Sequence, residues 1–336
     1  VEPNVMFTLD DSGSMQWEHM PDGPEMGGSN YMFPRQVTAL YGGVDYANQV
    51  PTFIDTDVIN YYTRSAANNG VFYNPDVTYS PWSNADGSQM PPADPRNALF
   101  NPDLPGLGGM DLTIQQTLNA VWLRKFNNLT GTLFCNPCGG TQTFWPITYY
   151  NYQGGLRDVR GSYQRVQIES GTPAGQTFTS PGGETRTRDE EIQNFANWFQ
   201  YHRSRILTSR GAIGRAFTQM PDQARVGFAA INKGLTTIDG VNNTPTVISG
   251  VRDFDATGRN TFYNNMYGHV INNFFTPLRR AANSVGQYFE RTDDAGPWST
   301  TPGDGGGDDL ACRQSFHILM SDGFWNGPNP GVGESD

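Results

Sequence analysis

Charge is scarce in this chain of 336 residues: charged side chains make up 16% of it, against the roughly 25% common in soluble domains. Basic residues are the scarcer sign, 22 Lys and Arg against 33 Asp and Glu, a net charge of −11. That balance argues against nucleic acid or an anionic membrane surface as the main partner. No stretch approaches the roughly 18 apolar residues of a membrane span. Cysteines number three, Cys135, Cys138 and Cys312. A four-cysteine zinc site is therefore excluded, and "CNPC" opens no thioredoxin-like βαβ pattern. Structural disulfide bonding in an oxidising compartment is the expected use, with partners unassigned. The four histidines, at 19, 202, 269 and 317, form no HExxH or other ligand pair.

What the chain has in abundance is glycine, proline, asparagine, threonine and aromatic residues, a weakly charged composition suited to secreted or surface proteins. Its length suits one domain with a large insertion, or two domains. Val1 opens almost directly on a strand, so a mature product or a piece of a longer chain is expected.

Residues 4–9, "NVMFTL", read as a short buried strand. From Met15 to about Arg188 turn signals crowd together ("PDGPEMGGSN", "YNPDVTYSPWSNADGS", "NPDLPGLGG"), with a strand suggested in "DVRGSYQRVQIES". This segment reads as an irregular, mainly β module. "TRDE" then fits a capping box on Thr187 and Glu190. A helix follows to about Met220, with Ile192, Phe195, Ala196, Phe199, Ile206, Ile213 and Phe217 at helical spacing. "ARVGFAAIN" and "TVISGVRDF" read as strands, "FYNNMYGHVINNFF" and "PLRRAANSVGQYFE" as helices, and "FHILM" as a strand ending at Asp322. Alternating strands and helices imply a parallel sheet with crossover helices. The continuous apolar runs before Asp10 and Asp322 suit strands buried on both faces. In such sheets ligands bind beyond the carboxyl ends of the strands, where both aspartates fall.

"VMFTLDDSGSMQW", residues 5–17, offers two overlapping frames for site chemistry. From Asp11, "DSGS" matches the loop of an aspartic peptidase, but that chemistry needs two carboxylates sharing a proton. No second Asp-Ser/Thr-Gly triplet exists in the chain, and the long helix after Thr187 does not suit an all-β body. A dehalogenase-type phosphotransferase fails because Ser12 replaces its second aspartate, and no subtilisin-like triad motif occurs. From Asp10, one carboxylate and two hydroxyls recur two residues apart at Asp10, Ser12 and Ser14, and can face one hard cation. Thr276, before a helix, and Asp322, at a strand end, are the expected ligands from neighbouring loops. A plain helix cap would explain "DDSGS" alone, but not its coincidence with Asp322.

"FTLDDSGSM" with "FHILMSDG" resembles a von Willebrand factor A domain and its metal-ion-dependent adhesion site. "YNPDVTYSPW", "NFANWFQYHRSRILTSRGAIGRAF", "ARVGFAAIN", "TPLRRAANSVGQYF" and "CRQSFHILMSDGFWN" resemble the N-terminal portion of PilC/PilY-type proteins, adhesins at the tip of bacterial type IV pili. The resemblance implies an α/β, Rossmann-like, mostly parallel sheet with flanking helices. Residues 1–14 and 189–336 would form the A domain, incomplete at its C-terminus, and residues 15–188 an inserted irregular β module. It implies Mg²⁺ (or Mn²⁺ or Ca²⁺) held by Asp10, Ser12, Ser14, Thr276 and Asp322. Asn273-Phe274-Phe275 stand where a Gly-Gly pair often precedes the threonine. A non-enzymatic adhesin at the bacterial surface is the expected role, supporting pilus assembly, attachment and twitching motility. Minor pilins and a surface ligand offering a carboxylate are the expected partners. The alternatives are a structural tip component with a vestigial site and, more distantly, an aspartic peptidase. A second acidic stretch, from Asp253, places Asp253, Asp255 and Thr257 at the first, third and fifth positions of an EF-hand-like loop, with Gly258 sixth. Asn264 replaces its final glutamate, so a weak calcium loop or a simple turn are the readings there.

Overall fold

The computed structural model describes residues 2–125, 129, 134–135, 139–305, 307–310, 312–323 and 325–327, with the side chains of 134 and 135 left aside. The chain divides into two compact units. Residues 1–15, 83–88 and 212–336 form the first, and residues 16–82 and 89–211 the second. Among the described residues the helices longer than ten residues are α1 (Arg188–Tyr201), α2 (Arg205–Thr218), α3 (Ala256–Gly268) and α4 (Leu278–Phe289).

The first unit is built on a four-stranded sheet of β1 (Asn4–Leu9), β2 (Arg225–Ala230), β3 (Val247–Asp253) and β4 (Ser315–Met320), in the order β3-β2-β1-β4. β1 runs parallel to both neighbours, Leu9 lying opposite Ala230 on one side and Met320 on the other. Every residue of β1 and β2 is buried. Met6 joins Ala229, Val247, Val251, Val285 and Tyr288 in one core cluster, to which α4 contributes its buried side. Phe7 faces the opposite layer, with ring centroids 5.5 Å from Phe217 and 6.2 Å from Phe262 of α3. Helices thus cover both faces of the central strand. Burying each such phenylalanine stabilises by roughly 1.5–3 kcal/mol.

Two features depart from a sheet of parallel, doubly buried strands. β3 pairs antiparallel with β2. The connection between them is a short hairpin, Thr236–Ile238 with Val241–Thr244, and contains no crossover helix to return the chain to the parallel direction. Among the described residues β4 lies at the sheet margin, and Phe316, Ile318 and Leu319 are exposed.

The second unit carries short two- and three-stranded pairings, including Thr148–Tyr152 with Tyr163–Gln167. Thr187 caps α1 through a complete capping box with Glu190. The single helix expected to Met220 is broken at His202–Ser204 into α1 and α2. The division of the chain falls within α2 rather than at residue 188. The reason lies in α1: Phe195 packs 4.9 Å from Tyr73, Trp198 4.9 Å from Phe72 and Phe199 5.3 Å from Phe33, all of the same unit.

Charge is also buried in this unit. Arg203 Nε donates to Glu18 Oε1 at 2.9 Å, while Glu18 Oε2 accepts the Met32 N–H at 2.6 Å. Losing one partner of such a pair costs about 3–5 kcal/mol, because the other is left buried and uncompensated. Cys312 is exposed and forms no disulfide among the described residues; Cys138 and the Cys135 side chain lie outside them. The expected disulfide therefore finds no partner for Cys312 within the described residues. Among those residues no helix is long and apolar enough to cross a membrane.

His19 generates a pH dependence. Burial, then the Arg205 charge, lowers its pKa to about 4, and its ring stacks 5.3 Å from Trp17. The unfolded chain takes up that proton near pH 6.5, so between pH 6.5 and 4 the unfolded state binds more protons and stability falls as pH falls. The span corresponds to at most about 3 kcal/mol. Urea midpoints should decline from pH 6.5 to 5, and H19Q should flatten that slope; an unchanged slope would contradict the assignment.

Candidate metal site

The parallel register determines where the first unit can gather oxygen atoms. Because Leu9 lies opposite Met320, the residues that follow, Asp10 and Ser321-Asp322, emerge side by side. The ladder continues one step further through the Asp10 N–H, which donates to Met320 O at 3.0 Å. The chain then turns into a single 3-10 turn, Gly13–Gln16.

The side chains form a continuous chain of contacts. Asp10 Oδ1 accepts the Ser12 N–H at 2.8 Å, and its Oδ2 accepts the Ser321 hydroxyl at 2.7 Å. Ser12 Oγ lies 3.2 Å from Ser14 Oγ, which donates to Asp322 Oδ1 at 3.1 Å. Four of the five residues singled out from sequence therefore converge. Thr276 forms no hydrogen bond with these four and is held through its backbone to Asn326 instead: its N–H donates to Asn326 Oδ1 at 2.7 Å, and its carbonyl accepts the Asn326 N–H at 3.0 Å. The same loop is tied to the serine turn, because Gly13 N–H donates to Phe274 O at 3.1 Å.

Burial raises the pKa of Asp10, and the Asp322 charge pushes the same way, while hydrogen bonds from Ser12 and Ser321 oppose them. Two carboxylates placed together with one of them desolvated is a costly arrangement without a counter-charge. A divalent cation fits the donors. Octahedral oxygen ligands at the Mg²⁺ distance stand roughly 2.9 Å apart, and those around Ca²⁺ somewhat further. The 3.1 and 3.2 Å separations here are those of hydrogen-bonded oxygens and lie close to that spacing. Among the described residues no cluster of three or more His, Cys, Asp or Glu side chains is arranged to hold a metal. What the cluster offers is two carboxylates supplemented by hydroxyls.

Several bracing residues escaped sequence reasoning. Asp11 is buried and turned away from the cluster, where it spans two partners: Oδ1 accepts the Asn232 N–H at 2.9 Å, and Oδ2 lies 2.7 Å from His269 Nε2. Asn232 also donates from its side chain to Phe275 O at 2.7 Å. The only sequence signal for Asn232 was its place just past the end of β2. Ser321 was signalled by adjacency to Asp322; nothing in the sequence marked His269 or Asn326.

The calcium loop from Asp253 does not form. Residues from Ala256 onward are helical, and Asp255 caps α3 by accepting the Thr257 and Gly258 N–H groups. Asp253 is held by Arg225 Nε at 2.9 Å. A Cβ on Gly258 would lie 2.0 Å from Asp253 O, so its glycine serves close packing. Asp253, Asp255 and Thr257 are thus engaged in capping, pairing and the first helical turn.

With this geometry in place, comparison with known proteins is informative. The chain is similar to type IV pilus biogenesis factor PilY1. It is 26% identical over 360 residues to PilY1 of Pseudomonas aeruginosa strain PAK, and the alignment covers 100% of this chain. The corresponding values are 25% over 358 residues for strain PAO1 and 27% over 342 for strain UCBPP-PA14, each again covering 100% of this chain. The chain spans about a quarter of the length of these curated relatives, 24–25% of each. No family model matches it, and no solved structure matches it. The homologues are thus pilus biogenesis factors, and similarity to PilY1 covers both units.

Asn326 holds the Thr276 loop against the segment that follows Asp322 by two hydrogen bonds. Residues that orient ligands in this way are commonly worth about 10–100-fold in metal affinity. On the reading of these oxygens as a cation site, N326A should weaken Mg²⁺ binding by about that factor in calorimetric titration, with little change in far-UV circular dichroism. Unaltered affinity would show that the brace is dispensable.

Proposed function

We propose that the first unit is a von Willebrand factor A-type module whose metal-ion-dependent adhesion site binds a carboxylate on a partner, within a pilus-associated surface protein. The observation that carries the reading is the convergence of Asp10, Ser12, Ser14 and Asp322 at adjoining parallel strand ends. Whole-length similarity to PilY1 supports the pilus context. In that context the partners are minor pilins at the pilus tip and a host or abiotic surface ligand. The protein then acts outside the cell, in pilus assembly, attachment and twitching motility.

Asp10 and Asp322 would hold Mg²⁺, Mn²⁺ or Ca²⁺, with Ser12, Ser14 and Thr276 supplying neutral oxygens. A bound divalent cation supplies the positive charge that attracts a partner's carboxylate. Two carboxylates from the protein neutralise a divalent charge only formally, and hydroxyl ligands add none, so an incoming carboxylate remains a strong competitor for water at an open position. Ser321 and the Ser12 amide orient Asp10, and the Asp11–Asn232–His269 contacts hold the turn that presents the serines.

D10A should abolish the rise in melting temperature that Mg²⁺ produces in the parent protein, while the chelated forms of the two melt close together. The near-equality follows because D10A also removes a desolvated carboxylate beside Asp322. A Mg²⁺-dependent rise retained in D10A would overturn the site. Attachment of the protein to surfaces that persists in chelator would instead favour a structural tip component.

A further inference from the structure

The chain contains two Asn-Gly pairs, Asn69-Gly70 and Asn326-Gly327. An asparagine followed by glycine can react with its own backbone. The amide nitrogen of the next residue attacks the side-chain carbonyl carbon, and glycine has no Cβ to hinder the approach. In a folded chain the outcome depends on the hydrogen bonds of the groups involved. The attacking N–H and the leaving amide must be free to move, because holding either by hydrogen bonds opposes the reaction. A donor on Oδ1, by contrast, stabilises the negative charge that develops there.

The fold separates these two identical dipeptides. Asn69 is fully buried. Its Nδ2 donates to Glu18 O and Thr63 O, each at 3.1 Å, and its Oδ1 accepts the Met20 and Val71 N–H groups at 3.1 and 3.2 Å. The Gly70 N–H is engaged as well, donating to Met20 O at 2.8 Å. Nucleophile and leaving group are both held.

Asn326 and Gly327 are exposed. Among the described residues neither Asn326 Nδ2 nor the Gly327 N–H has a hydrogen-bond partner. Oδ1 does have one: the Thr276 N–H donates to it at 2.7 Å, while the Asn326 N–H is anchored on Thr276 O at 3.0 Å. A donor therefore sits where negative charge develops, and the groups that must move are free. Gly327 has a φ of 131°, a conformation suited to glycine, and a Cβ there would lie 3.3 Å from Pro277 Cβ.

We infer that Asn326-Gly327 is a self-modification site, which turns the neutral brace of the Thr276 loop into a charged one. Gly327 N forms a bond to Asn326 Cγ, the Cγ–Nδ2 bond breaks, and the Gly327 amide proton departs with Nδ2 as ammonia. Water then opens the succinimide ring and leaves aspartate or isoaspartate at position 326. One water enters and one ammonia leaves, so no oxidant or reductant is needed, and loss of ammonia to solvent makes the change one-way. Either product carries a carboxylate where an amide stood. In the aspartate form a carboxylate oxygen takes the Thr276 N–H, a stronger hydrogen bond than the amide made. Resting on the metal-site reading above, the new negative charge beside the Thr276 loop also strengthens attraction for a divalent cation.

The test incubates the full chain in mildly alkaline buffer, folded or in urea, and follows the amide-to-acid mass change at both asparagines by peptide mapping. In urea the two should convert at similar rates, since the dipeptides are identical. In the folded protein Asn326 should convert about tenfold or more faster than Asn69, which reacts only after local opening. Calorimetry should show N326D binding Mg²⁺ severalfold more tightly than the parent protein. Conversion of Asn326 as slow as that of Asn69 in the folded chain would overturn the modification site. Conversion at Asn326 with no tighter Mg²⁺ binding in N326D would overturn its effect on the cation. Absence of Mg²⁺ binding from the parent and N326D alike would overturn the metal reading, while the modification would stand on its own mass change.

Discussion

The arrangement of the first unit depends on one constraint: β1 pairs parallel with two strands at once. Parallel neighbours finish at the same edge of the sheet, and their following loops must leave from that edge. With Leu9 opposite Met320, the first residues past β1 and β4 become neighbours although some 310 positions separate them in sequence. An antiparallel pairing of the same two strands would place Asp322 at the far end of the sheet. The convergence of two carboxylates is thus a consequence of strand direction, and the side-chain contacts only refine it.

What the refinement adds is rigidity without added charge. The Ser12 amide and the Ser12 and Ser14 hydroxyls link Asp10 to Asp322, and Ser321 holds the other Asp10 oxygen; each hydroxyl can donate in one state and accept in another. Asp11 faces away from that cluster and ties the turn to β2 and to the end of α3. The two adjacent aspartates therefore divide the work: one forms part of the oxygen cluster, the other anchors the turn carrying it.

Much of this was legible from residues 4–14 and 316–322. Continuous apolar runs ending in carboxylates locate strand ends, and hydroxyls at alternate positions identify a turn that can gather oxygen atoms. The N-cap at Thr187 was equally readable, since capping chemistry is local. Three features were not. The antiparallel direction of β3 depends on the hairpin that precedes it, which no periodicity encodes. The side on which α1 packs was set by Phe33, Phe72 and Tyr73, more than a hundred residues upstream. The acidic stretch at Asp253 matched ligand spacing, yet helix capping by Asp255 and pairing of Asp253 with Arg225 claimed the same groups. Local patterns were readable where local chemistry decides; distant packing was not.

The central claim is that Asp10, Ser12, Ser14 and Asp322 surround one divalent cation. Crystals of the chain grown with Mn²⁺, with diffraction measured at the manganese absorption edge, test it most directly. The account predicts one anomalous peak within coordination distance of oxygen atoms from Asp10, Ser12, Ser14 and Asp322, and its loss in D10A. A peak elsewhere, or none in the parent protein at saturating Mn²⁺, would contradict it.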